Sequence, residues 1–210
     1  AMLARAVDHF GRLDCLFNNA GGGTGASGSI ESVTLEDYEK TMAVLLRAVF
    51  LGIKHAAPIM RRQGSGSIVS TGSIAGIRAG FSSSMIYSAA KAGMAQLSRC
   101  AAMELGEQGI RVNVISPGGI ATGIFGKALG LPTQAAERTV EKVKEVFARI
   151  RRFHAPASPT IAHAAVFLAS DEATFVNGHD LVVDGGLSGG RLWSDQQATW
   201  AQIRESLGGA

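Results

Sequence analysis

The feature that most restricts the fold is an alternation of short β-branched runs with longer stretches whose apolar residues recur at helical spacing, the joins marked by glycine clusters. Such alternation is the pattern of a parallel sheet covered by helices on both faces. Residues 13–18 read as a short strand and residues 19–28 as a glycine-rich loop. Thr34, with Asp37 three residues on, has the form of a helix cap, and Leu35, Tyr38, Met42, Leu45, Val49 and Ile53 then keep helical spacing toward Arg62. Gly64-Ser65-Gly66 breaks that helix, and residues 68–71 form the next strand. After a loop over residues 72–84, a helix carries Met94, Leu97, Ala101 and Leu105 as its buried stripe and ends at Gly106 and Gly109. Residues 110–115 are a β-branched strand that stops at Pro117-Gly118-Gly119. An excursion over residues 120–159 has its own helix at 134–152, and a last helix at 160–169 precedes a strand at 181–183 and the turn Asp184-Gly185-Gly186.

Tyr87-Ser-Ala-Ala-Lys91 places a phenol and an ammonium four residues apart on one of these helices. Such residues are surface neighbours, roughly 6 Å apart at Cβ, so both head groups can reach one pocket. A phenol with a pKa near 10 is a poor proton carrier at neutral pH. Lowering it by about 3 pH units takes roughly 4 kcal/mol, close to what one ammonium at about 4 Å supplies at an effective dielectric of about 20. The pair is therefore a candidate general acid/base.

Composition limits the alternatives. A chain of 210 residues, 46% apolar and 18% charged, can bury a core as a single domain. We read that domain as residues 1–190, with a lid at 120–159 and a tail at 191–210. The net charge of +3 is too small to suggest a nucleic-acid partner, and the basic run at 149–152 reads as a solvated face. No uninterrupted apolar run approaches the roughly 20 residues of a membrane span, so the expectation is a cytoplasmic protein. Cys15 and Cys100 read as two reduced, partly buried thiols, and the five scattered histidines suggest no metal site.

Two tempting motifs fail on mechanism. Gly23-Thr24-Gly25-Ala26-Ser27-Gly28 matches the dinucleotide fingerprint, but the helix it should open begins only near Thr34, and no acidic residue stands about 20 positions on. Gly186-Leu187-Ser188-Gly189-Gly190 matches a hydrolase nucleophile elbow, but no histidine follows His179.

Four further motifs in order carry a resemblance: Asn18-Asn19-Ala20-Gly21 closing a strand, Ser73 in Ser-Ile-Ala-Gly, Tyr87-x-x-x-Lys91, and Pro117-Gly118-x-x-x-Thr122. With them, residues 12–186 resemble the short-chain dehydrogenase/reductase family, and Asn177-Gly178-His179-x-x-Val182-Val183-Asp184-Gly185-Gly186 looks like its last strand. The resemblance implies an α/β fold, a Rossmann-like, doubly wound, three-layer parallel sheet. It implies a cytoplasmic oxidoreductase, a dimer or tetramer, that moves a hydride between NAD or NADP, with a lean to NAD, and a small secondary alcohol or ketone. Tyr87 would carry the proton, Ser73 would hold the reacting oxygen, and Lys91 would lower the tyrosine pKa and bind the nicotinamide ribose. Asn19, Ala20 and Gly21 would line the cofactor cleft, and Pro117, Gly118, Ile120 and Thr122 would hold the nicotinamide amide. Beside these stand plainer readings: Ser73 as a strand-end hydroxyl, Thr122 as a helix cap, and Asn18 as a tie between loops.

The chain departs from the family pattern in two places. Leu45 stands where the family usually has an asparagine, thought to hold a water that replenishes the proton. The pattern also expects a first βαβ half before Leu13, and the chain reads as lacking it, with a catalytically silent fragment or oligomeric scaffold as the competing expectation. Ile124, Phe125, Leu129 and Leu131 are candidates to line a pocket for an apolar ketone, and an amphipathic lid face packing on its own core accounts for them equally well.

Overall fold

The computed structural model describes residues 2–22, 26–150 and 158–208. Strands β1 (Cys15–Asn18), β2 (Gly66–Thr71), β3 (Ile110–Pro117) and β4 (Asp180–Val183) form one parallel sheet in the order β1-β2-β3-β4. Leu16 stands beside Ile68, which stands beside Val112, and Ser70 pairs with Val114, which pairs with Asp180. This register brings the carboxyl ends of all four strands to one rim.

Helices α1 (Met2–Phe10), α2 (Leu35–Met42), α3 (Ala48–Gln63), α4 (Met85–Gly106), α5 (Ile124–Ala128), α6 (Thr133–Glu137), α7 (Val140–Ile150), α8 (Ser158–Ala169) and α9 (Trp193–Ser206) complete the described elements. Val49, Ile53 and Met60 of α3 and Met94, Ala95, Ala102 and Leu105 of α4 pack on Leu16, Ile68, Val112 and Val114. On the other face, Leu168 and Ala164 of α8 pack on Val69 and Ile115. Because successive strand residues point to opposite faces, a strand covered on both sides reads as a continuous apolar run, as Ile68-Val69 and Val114-Ile115 do. The three-layer α/β expectation is met.

Local chemistry sets the element ends. The Thr34 hydroxyl oxygen accepts from the Asp37 N–H at 3.1 Å, and the same hydroxyl donates to the Asp37 carboxylate at 2.9 Å, a reciprocal cap. Asn113, fully buried in β3, clasps the loop before β4: its amide donates to the Val176 carbonyl at 2.8 Å and its oxygen accepts from the His179 N–H at 2.9 Å.

Several expectations need correction. The helix after Thr34 is not regular, since residues Ala43–Arg47 form a π-helical turn between α2 and α3. Leu35 stays 82% exposed and Tyr38 lies at the surface, because the start of α2 lies outside the stripe from Thr41 through Leu45, Val49 and Ile53 that is buried. By length and composition alone the 29 residues Leu35–Gln63 could cross a membrane, yet this stripe and Met60 are buried against the rest of the fold. In α4 the buried face differs from the four apolar positions expected: Met94 and Leu105 are buried, Leu97 and Ala101 only partly so, and Ala90, Lys91, Ala95, Ser98 and Ala102 share the face. The Ser98 hydroxyl can sit there because it donates to the Met94 carbonyl one turn back, at 2.9 Å. The helix expected over 134–152 divides into α6 and α7, and residues 151 and 152 fall outside the described residues. Both cysteines reach the surface, Cys100 being exposed and Cys15 sheltered enough that burial raises its thiol pKa.

Ile68, with no exposed surface, fills the centre of the larger core, so Ile68→Ala is expected to cost about 2–5 kcal/mol in urea unfolding. Asn113→Ala orphans a carbonyl and an N–H and is expected to cost about 1–3 kcal/mol, whereas exposed Val146→Ala should stay within about 0.5 kcal/mol.

Candidate active site

In open α/β sheets the crevice outside the carboxyl ends of the strands is where ligands bind. Here that rim is formed by Asn19, Ala20 and Gly21 after β1, Thr71 and Ser73 at the end of β2, Pro117 and Gly118 at the end of β3, and the turn after Val183 of β4. Helix α4 brings Tyr87 and Lys91 to the segment after β2. Its N-terminus is fixed by the Ser84 hydroxyl, which accepts from the Tyr87 N–H at 3.1 Å.

Ser73 is extended and opens the single 3-10 turn Ile74–Gly76, where its hydroxyl oxygen accepts from the Ala75 N–H at 3.2 Å. The same side chain stands near enough to the Tyr87 phenol to favour its charged form. Ser73 is thus both the strand-end cap of the plainer reading and the neighbour of Tyr87. Gly76 makes this approach possible, because a Cβ there would lie 2.8 Å from the Lys91 carbonyl carbon and the Ala92 nitrogen. The serine turn rests directly on the backbone of α4.

Lys91 is only 7% exposed, and its ammonium donates to the Thr71 carbonyl at 2.6 Å. Burial lowers its pKa from the usual lysine range to about 8, leaving it mostly charged at neutral pH. The Lys91 nitrogen lies 5.7 Å from the centre of the Tyr87 ring, near its face. The expectation that Lys91 holds the phenol pKa down is corrected here. Burial raises the Tyr87 pKa, and the nearby Ser73 side chain offsets only part of that rise. The lysine charge is directed at Thr71 rather than at the phenol oxygen.

The remaining expected residues lie on the same rim. Asn18 ties β1 to β2, donating to the Ser70 hydroxyl at 3.2 Å, as its plainer reading held. Asn19 is exposed, and its amide oxygen accepts from the Thr71 hydroxyl at 2.7 Å. Gly21 lies over Leu45, whose methyl would stand 3.3 Å from a Cβ at that position. Ile120 and Thr122 follow in the loop after Pro117 and Gly118, and the Thr122 hydroxyl accepts from the Ile124 N–H at 3.4 Å at the start of α5. Of the fingerprint-like segment, residues 23–25 lie outside the described residues, while residues 26–28 are loop and α2 opens only at Leu35.

Two residues that matter here were not singled out from the sequence. Thr71 bonds both Asn19 and Lys91, and nothing in a strand-end threonine signals that. Asp184 is buried, and its carboxylate accepts from the N–H groups of Gly186 at 2.8 Å and Ser188 at 2.7 Å. Those hydrogen bonds hold its pKa below the usual carboxylate range against the opposing effect of burial. The Gly118 N–H donates to the Val183 carbonyl at 3.1 Å, and a Cβ on Gly118 would lie 3.0 Å from that of Asp184. The turn after β4 is therefore a wall against which the Pro117-Gly118 loop is set.

Together these groups suit the nicotinamide end of a dinucleotide. Lys91 spends one of its three N–H donors on Thr71, Asn19 has an amide nitrogen to offer, and the glycines give a ligand close access to the backbone. They would hold sugar hydroxyls and a carboxamide.

A family model described as Enoyl-(Acyl carrier protein) reductase matches residues 1–188. Momilactone A synthase of Oryza sativa subsp. japonica is 41% identical over 190 residues, covering 89% of this chain and 68% of the relative. Levodione reductase of Leifsonia aquatica is 38% identical over 191 residues, covering 90% of this chain and 69% of the relative. The chain thus spans about two-thirds of the length of these relatives. A crystal structure of levodione reductase superposes with a TM-score of 0.76 at 36% identity, over 90% of this chain and 72% of that one. The structure titled "ElxO with NADP Bound" gives 0.76 at 26% identity, over 90% and 73%. With the sheet order, the rim residues and these matches in agreement, the chain belongs to the short-chain dehydrogenase/reductase family of hydride-transferring oxidoreductases.

Proposed function

We propose that this chain interconverts a secondary alcohol and a ketone, with Tyr87 as the proton carrier, Ser73 as the group that orients the reacting oxygen, and Lys91 as the cofactor-side cation. The observation that carries the reading is the convergence of Ser73, Tyr87 and Lys91 at the carboxyl rim of the sheet, with the Ser73 turn resting on the backbone of α4 and the buried Lys91 ammonium beside the Tyr87 ring. NAD or NADP, when bound, supplies or accepts the hydride. The chain's own residues do the rest. Ser73 donates to the substrate oxygen where negative charge grows during reduction, and Tyr87 gives that oxygen a proton. Lys91 and Asn19 hold ribose hydroxyls, Ala20 and Gly21 line the cleft, and Pro117, Gly118, Ile120 and Thr122 hold the carboxamide.

The raised pKa of Tyr87 favours the phenol over the phenolate at neutral pH, which suits proton donation to a ketone. The segment after β3 carries exposed apolar side chains. Helices α5 and α7 meet through an edge-to-face contact of Phe125 with Phe147 at 5.3 Å, and Ile124, Leu129 and Leu131 present exposed apolar surface beside them. That lining supports an apolar ketone. Exposed Phe50 and Leu51 on α3 and Met103 on α4 support a dimer or tetramer built on those helices. Two exposed, unpaired cysteines suit a reducing compartment such as the cytoplasm. NAD remains our preferred cofactor, with NADP supported by the NADP-bound relative.

Tyr87→Phe is expected to lower kcat about 10²–10⁴-fold with the urea midpoint unchanged, because the hydroxyl is lost and the ring kept. A silent scaffold would show the same background rate before and after the substitution, and that result would overturn the reading. The pH dependence should run in opposite senses in the two directions. Ketone reduction needs the phenol, so its rate should hold through neutral pH and fall in the alkaline range as the raised pKa is passed. Alcohol oxidation needs the phenolate and should rise over the same range, as initial rates at fixed saturation would record.

A further inference from the structure

We infer that Thr71 is a positioning residue for the cofactor, whose hydroxyl sets which face of the Asn19 amide is offered to the ligand while its carbonyl holds the Lys91 amine. The inference rests on the reading of the rim as the nicotinamide-ribose site. Thr71 is the last residue of β2, and both of its polar groups are committed: the hydroxyl donates to the Asn19 amide oxygen at 2.7 Å, and the carbonyl accepts from the Lys91 ammonium at 2.6 Å.

A primary amide has one acceptor end and one donor end, and an unrestrained one can turn to present either. With its oxygen turned to the Thr71 hydroxyl, the Asn19 amide has its NH2 group on the side away from Thr71, while the oxygen keeps one lone pair. An ammonium is likewise a donor with no acceptor. The corner between β1 and α4 is therefore rich in donors, and it suits ligand atoms with lone pairs, such as the oxygen of a sugar hydroxyl. Remove the threonine hydroxyl and the amide oxygen is released to face those same lone pairs. The carbonyl of residue 71 stays, so Lys91 should keep its place, and Thr71 acts on the ligand through Asn19.

The test is a fluorescence titration of the full 210-residue chain with NADH and with NADPH, paired with kcat at saturating cofactor and urea unfolding. Thr71→Val keeps the branched shape and should weaken dinucleotide binding about tenfold, the size of one lost hydrogen bond, with kcat changed less than about twofold. Thr71→Ser restores the hydroxyl and should bind within about twofold of the parent. Asn19→Ala should weaken binding by a similar factor, and the Thr71→Val/Asn19→Ala double variant should bind no more weakly than Asn19→Ala alone. Thr71→Ala serves as the second hydroxyl-free variant should the valine protein fail to fold. A parent that binds while Thr71→Val binds equally well overturns the inference alone, as do additive effects in the double variant or failure of Thr71→Ser to recover binding. A parent that binds neither dinucleotide overturns the functional reading, and this inference with it.

Discussion

Burying the Lys91 amine is the constraint on which the rest of the site depends. An ammonium taken out of water loses more than a single hydrogen bond returns, and the pKa near 8 records that imbalance. The surroundings limit the loss with a short bond to the Thr71 carbonyl and the face of the Tyr87 ring. Each of those contacts requires something of the chain. The carbonyl must come from the last residue of a strand that ends beside α4, and the ring must stand one turn earlier on the same helix. A residue without a side chain must also let the Ser73 turn lie against α4, which Gly76 provides. Sheet, turn and helix are thereby fixed relative to one another at the point where proton transfer is proposed.

The π-helical turn at Ala43–Arg47 belongs to the same arrangement. A wider turn adds a residue to the helix and rotates the turns beyond it, and such turns often occur at functional sites. Here it turns Leu45 inward to 1% exposure beneath Gly21. Leucine stands where the family resemblance led us to expect asparagine, yet the local opening of the helix is present. Leucine has no polar group to hold a water. Its contribution is apolar contact under the loop after β1, linking that loop to the helix layer.

Much of this was legible in the sequence because the signals are local. The Thr34–Asp37 cap, the break at Gly64 and the Tyr87–Lys91 spacing each depend on residues within a turn or two. The β-branched runs Ile68-Val69 and Val112 to Ile115 announced strands buried on both faces. The features that were not legible depend on residues distant in the chain. Periodicity put Leu35 and Tyr38 on the buried stripe because it does not know where the packing surface ends. It omitted Ser98 and Lys91 because their burial depends on a backward bond to Met94 and on a carbonyl 20 residues away. The direction of the Tyr87 shift was misjudged for a related reason: spacing gives proximity to a cation but not where that cation points, nor how much water the phenol has lost.

The segment that looked like a nucleophile elbow shows the same distinction between pattern and environment. Ser188 sits in a glycine-rich turn after a strand, as such a nucleophile would, but its N–H is bonded to the Asp184 carboxylate. Its surroundings point instead to the aspartate. By gathering successive N–H groups, Asp184 closes a tight turn that its own burial anchors at the edge of the sheet. Gly118 packs against that turn so closely that a Cβ there would crowd Asp184. The loop after β3 is thus held from β4, the loop after β1 from the π-helical turn, and the serine turn from α4. A rim made of three loops can keep a fixed shape because each is braced by a different element of the fold.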